Sequence, residues 1–452
     1  MSDDGLCFAS VSELSRLLAA RRVSSVEVTR GYLERIQRYD GSLRAFITVD
    51  ADQALAEARA ADQTERHGPV HGVPIAIKDN IATRGLRTTG GSRVLRDWVP
   101  DHDAPVVQSL RGAGAVVLGK TNLHEFAYGG TCTNVEFGAV RNPWNPAHVP
   151  GGSSGGSGVA VAAGLAPAAL GTDTAGSVRL PACQCGVVGL KPRYGAVSID
   201  SVIPLAWSLD HVGPITRTIG DAGLLLDVMS GLSEHAVSHQ GVRRLRLGVP
   251  RAYFFEGLQS DVEAAVEQAL EVLRGLGATL LDVEWPAVKL SNSATWTIIL
   301  AEASAYHRPW FRTRPEAYSA ETRHNLELGE QVAASDYIQA QRARTVLKQQ
   351  VKEVLAQVDA LVTPMLAITA PKIGQTTIEV AGKVKEINPV FIRLADPFNL
   401  TGLPAISIPC GFGQDGLPIG LQIAAATEQA VLGVAQAYES ATDWHTRRPS
   451  LT

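Results

Sequence analysis

Three polar residues sit in settings that suit acyl transfer. Lys78 ends the apolar run Val73-Pro74-Ile75-Ala76-Ile77-Lys78-Asp79. Ser153 lies in Gly151-Gly152-Ser153-Ser154-Gly155-Gly156-Ser157-Gly158, and Ser177 in Gly171-Thr172-Asp173-Thr174-Ala175-Gly176-Ser177-Val178-Arg179-Leu180-Pro181. Burial disfavours the charged form of a lysine. A lysine without its proton is a general base, and a base, a hydroxyl relay and a second hydroxyl as nucleophile make an acyl-transfer site without histidine. Each piece also has a plainer reading. The Gly/Ser run has the composition of a flexible linker. Lys78 could be a strand-end lysine whose tip reaches solvent, and Ser177 is one serine among many. The surroundings argue against a linker. The run leads straight into Val159-Ala160-Val161-Ala162-Ala163-Gly164-Leu165-Ala166, a small-residue apolar segment that reads as a buried helix. A Gly-rich turn opening onto a helix points N–H groups outward and suits an oxyanion or the close approach of another chain.

The elements that must hold these residues alternate along the chain. Ser10-Val11-Ser12-Glu13 and Ser24-Ser25-Val26-Glu27 resemble capping boxes that open two helices. Strands are expected at 44–49, 73–78, 115–118, 245–249, 279–283, 405–409 and 418–422, and helices at 51–62, 105–112 and 261–276. Residues 292–357 read as helical almost throughout, with Tyr337, Ala340, Arg344 and Leu347 on one partly exposed face. The pattern predicts an α/β fold, a mixed sheet wrapped by helices. No repeat or linker divides the chain, so residues 1–452 are expected to form one large domain.

Composition narrows the function. With 41 Lys+Arg against 45 Asp+Glu, the net charge of −4 supplies no basic field for nucleic acid or acidic lipid. The acidic start, Met1-Ser2-Asp3-Asp4, lacks the features of a signal peptide, and no long apolar run spans a membrane. Five cysteines (Cys7, Cys132, Cys183, Cys185 and Cys410), odd in number and mostly in apolar or Gly-rich contexts, suit reduced thiols and a cytoplasmic location. Cys183-Gln184-Cys185 lacks a second ligand pair, so no metal is expected.

Three tempting motifs fail on context. Gly114-Ala115-Val116-Val117-Leu118-Gly119-Lys120-Thr121 matches the phosphate loop letter for letter, but its middle is an apolar strand rather than an open cradle. Gly151-Gly152-Ser153-Ser154-Gly155 matches a nucleophile elbow, yet Asn145–Pro150 cannot be the strand that motif requires. A Ser-His-Asp triad through His124, His148 or His211 has only lone histidines to draw on.

Lys78 and the two serine runs, together with Cys185-Gly186-Val187-Val188-Gly189-Leu190-Lys191-Pro192, resemble the amidase signature family of serine hydrolases, centred on about residues 73–192. Asn122–Ala127, Arg141–Trp144, Asp210–Ile215 and Leu417–Gln422 look like further landmarks, so the resemblance covers about residues 8–440. It implies a single large domain around a twisted mixed sheet, no cofactor, and a Ser-cisSer-Lys triad acting through an acyl-enzyme. Ser177 matches the nucleophile. Ser153 matches the bridging serine that follows a cis peptide bond, and Lys78 matches the base. Backbone N–H groups of Thr174, Ala175, Gly176 and Ser177 match the oxyanion hole; Thr172, Asp173 and Arg179 support it. Many relatives carry Gly where this chain has Ala175, a change that keeps the backbone donor.

The resemblance implies hydrolysis of a small-molecule amide, anilide or carbamate, with esters as further candidates, by a stand-alone monomer or homodimer. The alternative is the glutamine-hydrolysing subunit of a tRNA-dependent amidotransferase, working with partner subunits. The Tyr/Arg-rich segment expected there is absent; Ala301–Pro309 and Asp336–Ala340 look more like stand-alone amidases. Leu180 stands where relatives with charged substrates place Arg or Gln. Tyr128, Gly129, Gly130, Thr131, Leu180, Ile203, Leu205 and Trp207 are the candidate pocket walls, with core packing as the alternative for the large apolar ones.

Overall fold

Runs of Val, Ile, Leu and Ala bury both faces of a strand and so call for helices on both sides of a sheet. The computed structural model, which describes residues 3–232, 241–380 and 382–451, has this architecture. The strands are β1 (Phe46–Thr48), β2 (Pro74–Lys78), β3 (Val116–Thr121), β4 (Ala168–Thr172), β5 (Val188–Lys191), β6 (Val212–Thr216), β7 (Arg246–Val249), β8 (Thr279–Asp282), β9 (Ala360–Pro364), β10 (Thr377–Val380), β11 (Lys383–Glu386), β12 (Ala405–Phe412) and β13 (Pro418–Ala424). Eleven share one sheet in the order β1-β3-β2-β4-β6-β5-β12-β13-β9-β7-β8, while β10 and β11 pair only with each other. Pairing is parallel for β3-β2-β4 and for β9-β7-β8, and antiparallel elsewhere in the sheet. Every residue of β2, β4, β6 and β9 is buried. One apolar cluster includes Val28, Ile75, Leu118, Leu170, Ile215 and Leu270; a second includes Phe126, Leu180, Phe254, Ile298, Phe391 and Phe398.

The helix at 105–112 falls where expected. Strand β1 is shorter than 44–49, because Arg44 takes a left-handed φ of 57° to cap the helix Ser25–Leu43. The helix expected at 159–166 instead spans Gly155–Ala162. It begins inside the glycine run because backbone packs against it: a Cβ on Gly156 would lie 2.3 Å from Ala45 O and 2.5 Å from Asn122 O. It stops before Gly164, whose φ is +68°. Gly119, Lys120 and Thr121 of the phosphate-loop lookalike belong to β3. Lys120 is buried, donating to Thr83 Oγ1 at 3.0 Å and Thr88 Oγ1 at 2.7 Å.

Residues 292–357 divide into helices Ser291–Phe311, Ala320–Gly329 and Ala334–Leu355. The face expected to be partly exposed is mostly covered: Ala340, Arg344 and Leu347 are buried, and Tyr337 is half-buried. Backbone carbonyls make this possible, since Arg344 Nε donates to Leu400 O and Nη2 to Ser208 O, both at 2.8 Å.

Candidate active site

Strands β2 and β4 run parallel with Ile77 opposite Leu170, so their C-terminal ends finish side by side. Crevices at such strand ends are where open α/β sheets place ligands. Lys78, the last residue of β2, is fully buried there. Its Nζ lies 2.8 Å from Ser153 Oγ and 2.7 Å from Thr172 Oγ1. Asn80 Nδ2 also donates to Thr172 Oγ1, at 3.2 Å. Burial lowers the Lys78 pKa to about 7; the carboxylates of Asp173 and Asp210 act in the opposite sense.

The Gly152-Ser153 peptide bond is cis. Ser153 O accepts from His124 N at 3.1 Å. The neighbouring Ser154 is occupied with β4, its Oγ accepting from Thr172 N and donating to Thr172 O, each at 3.2 Å. Ser177 lies in the loop that follows β4 and lines a cleft. Its hydroxyl makes no protein hydrogen bond among the described residues. Lys78, Ser153 and Thr172 are thus hydrogen-bonded together, with Ser177 on the cleft side of the same loop.

That loop is pinned from below. Asp173 Oδ1 accepts from Gly176 N at 2.7 Å, from Arg179 Nη2 at 2.9 Å and from Asn399 Nδ2 at 2.8 Å. Asp173 Oδ2 accepts from Val178 N at 3.2 Å and from Arg179 Nε at 3.0 Å. Burial works to raise the Asp173 pKa. The charge and hydrogen bonds of Arg179, with Lys191 and Asn399, outweigh it and hold the carboxyl well below the usual range. Arg179 is itself buried and donates onward to Gln422 Oε1 at 2.6 Å and Asn399 Oδ1 at 2.6 Å. The same contacts trim the expected oxyanion donors. Gly176 N–H is engaged by Asp173, while those of Thr174, Ala175 and Ser177 have no protein acceptor among the described residues.

Asp210 and His211 hold the loop from the other side. Thr174 Oγ1 donates to Asp210 Oδ1 at 2.5 Å, and Asp173 and His211 exchange two backbone hydrogen bonds, at 2.9 and 3.1 Å. Burial raises the Asp210 pKa to about 6, against the hydrogen bonds it accepts. No imidazole of the refused triad hydrogen-bonds Ser153, Ser154 or Ser177 among the described residues. His211 Nδ1 lies 3.2 Å from Asp173 O, His148 Nδ1 lies 2.6 Å from Ala370 O, and His124 Nε2 lies 3.4 Å from Glu321 Oε2. Cys183 and Cys185 are buried free thiols.

Of the candidate walls, Tyr128, Gly129, Gly130, Leu180 and Leu205 line the cleft over Ser177, and Ala175 lines it with them. Three candidates do not line it. Thr131 turns to Thr133, their Oγ1 atoms 2.9 Å apart. Ile203 is buried, with its backbone bonded to Asn80. Trp207 is 44% exposed on the surface. Their places are taken by Trp296, Ile299, Asn388 and Ile392, which arrive from helices more than a hundred residues downstream of Ser177. Only tertiary packing brings them here, and no local motif announces it. Among the described residues, no charged side chain lines the cleft, and the buried Tyr128 hydroxyl has no protein partner. No helix among the described residues is long and apolar enough to cross a membrane.

The amidase family profile matches residues 27–432. A glutamyl-tRNA(Gln) amidotransferase subunit of Trichlorobacter lovleyi is 41% identical, over 98% of this chain and 99% of that protein. The crystal structure of an amidase superposes with a TM-score of 0.90 at 34% identity, covering 96% of this chain and 99% of that one. A bacterial aryl acylamidase of the amidase signature family superposes with a TM-score of 0.89 at 26% identity, covering 97% of each chain.

Proposed function

Because the chain belongs to the amidase signature family, we propose that it hydrolyses neutral amide-type bonds, anilides and carbamates among them, with Ser177 as nucleophile. Neutral Lys78 takes the proton of Ser153 Oγ as Ser153 takes that of Ser177. Ser177 Oγ adds to the carbonyl carbon, and the oxyanion is met by N–H groups of Thr174, Ala175 and Ser177. Each such donor contributes about 3 kcal/mol to the transition state. Ser153 then protonates the departing nitrogen, the C–N bond breaks, and water releases the acid from the acyl-enzyme. The Ser153–Ser177 contact forms as substrate binds; catalytic hydrogen bonds tighten only in the reacting complex in many enzymes. Thr172, Asp173 and Arg179 hold the parts in register and do not react.

The uncharged cleft supports this choice of substrate. A substrate carboxylate or ammonium there would lose water without gaining a partner, at a cost of several kcal/mol. The second reading, a glutamine-hydrolysing amidotransferase component, is favoured by the 41% identity to the Trichlorobacter lovleyi protein over nearly the whole chain. One panel separates the two. The purified chain alone is expected to hydrolyse p-nitroanilides and aryl carbamates with a higher kcat/KM than free glutamine. A kcat/KM for glutamine that equals or exceeds that for an anilide reverses the choice.

A further inference from the structure

The cleft leaves about 30 Å³ for water-sized molecules. One water needs roughly 10–15 Å³ of such space, so an aryl acyl group requires its walls to part. One wall is the loop carrying Gly129 and Gly130. The other is the short helix Ile387–Ile392, which follows directly on the hairpin β10–β11. That hairpin pairs with no strand of the large sheet, all of β11 is exposed, and Val384 is 75% exposed. It is anchored on the core side, where Val380 is buried and Ile378 packs against the second apolar cluster. Phe391 packs against Gly130, and Asn388 joins the two walls by hydrogen bonds. Asn388 Oδ1 accepts from Gly130 N at 3.0 Å, and Asn388 Nδ2 donates to Glu321 Oε1 at 2.9 Å. The other oxygen of Glu321 lies 3.4 Å from His124 Nε2, and a Cβ on Gly129 would lie 2.4 Å from that ring. The chain His124–Glu321–Asn388–Gly130 therefore runs from beneath the loop, across the helix Ala320–Gly329, to the opposite wall.

We propose that Asn388 is a specificity-determining residue that sets the size of acyl group admitted to Ser177, with Glu321 as the positioning residue that holds its carboxamide across the cleft. This rests on the assignment of Ser177 as nucleophile. Small acyl groups enter beside the carboxamide. Larger ones must break its bond to Gly130 and push the carboxamide aside.

Two fluorophosphonates test this, one with a short alkyl chain and one with a bulky aryl ether. Each reacts by forming an Oγ–P bond and expelling fluoride, with the serine proton passing through Ser153 to Lys78. Intact-mass spectrometry gives both labelling rates without any assumption about the natural substrate. Asn388→Ala is expected to raise the bulky-to-small rate ratio by at least about tenfold. Glu321→Ala is expected to shift the ratio the same way, whereas Glu321→Gln, which keeps the acceptor for Asn388 Nδ2, stays near the parent. An unchanged ratio in both alanine variants, or an equal fall of both rates, overturns the gate. Labelling of the parent by neither probe, or undiminished labelling of Ser177→Ala, instead overturns the nucleophile assignment and the gate with it.

Discussion

With its pKa lowered to about 7 by burial, Lys78 is mostly protonated in mildly acid solution and mostly neutral in mildly alkaline solution. The proposed reaction needs the neutral form, so kcat/KM is expected to climb through pH 7 and level off above it. Lys78→Ala is expected to lower the rate by about 10²–10⁴-fold, the usual reach of a general base, and to flatten that limb. An unaltered pH profile in the variant would assign the base elsewhere. Leu180, fully buried against the cleft, offers a second check. Leu180→Arg is expected to raise KM for neutral anilides; a KM that stays put removes Leu180 from the acyl pocket. Lys78, Ser153 and Ser177 could be picked out from sequence because each sits in a distinctive local run. Thr172 shares the run that carries Ser177 and was expected only as a support; that its Oγ1 lies 2.7 Å from Lys78 Nζ was not legible there. Its part depends on the register of β2 against β4, a fact of pairing rather than of residue type.

The loop from Thr172 to Arg179 behaves as one braced element. Asp173 receives five hydrogen bonds on its carboxylate, and two come from the buried Arg179. Arg179→Met would leave that carboxylate buried without its ion-pair partner. Breaking such a pair from one side costs about 3–5 kcal/mol. Chemical denaturation at neutral pH is expected to read a loss of that order, and a loss no larger than that of a surface substitution would refute the brace. Because the Asp173 pKa is depressed in the folded chain, its contribution is present above the ordinary carboxylate range. It fades only as pH falls below that range towards the folded value. Arg179 and Asp173 could be anticipated as supports from the run they share. The engagement of Gly176 N–H by Asp173 could not, because it follows from how the loop closes on itself. Arg344 likewise looked like a partly exposed residue on periodicity alone. The carbonyls of Ser208 and Leu400 that satisfy it lie far away in sequence.

One sheet of eleven strands crosses both apolar clusters, and β5 hands over to β12 in its middle. A division of the chain would expose two long strand edges, which aggregate unless covered. We therefore expect a single cooperative unfolding transition, with calorimetric and van't Hoff enthalpies in agreement; two resolved transitions would divide the chain into separate domains. Dialysis against EDTA and omission of ATP are expected to leave hydrolysis unchanged, whereas a loss restored by zinc would reopen Cys183 and Cys185 as ligands. The alternation of strands and helices was readable from periodicity, but not the order of the strands. The contacts that set that order join segments far apart in the chain.

Arg179 meets Asn399 across 220 residues and Gln422 across 243. Biosynthesis has to span those separations. A nascent chain that has left the ribosome only as far as residue 390 already carries Lys78, Ser153 and Ser177, yet the loop bearing Ser177 lacks both of those anchors. Strands β12 and β13, which extend the sheet beyond β5, are missing as well. On the proposed mechanism, hydrolytic competence is expected only once residues 391–424 have docked, and a product ending at residue 390 is expected to be inert despite carrying Lys78, Ser153 and Ser177.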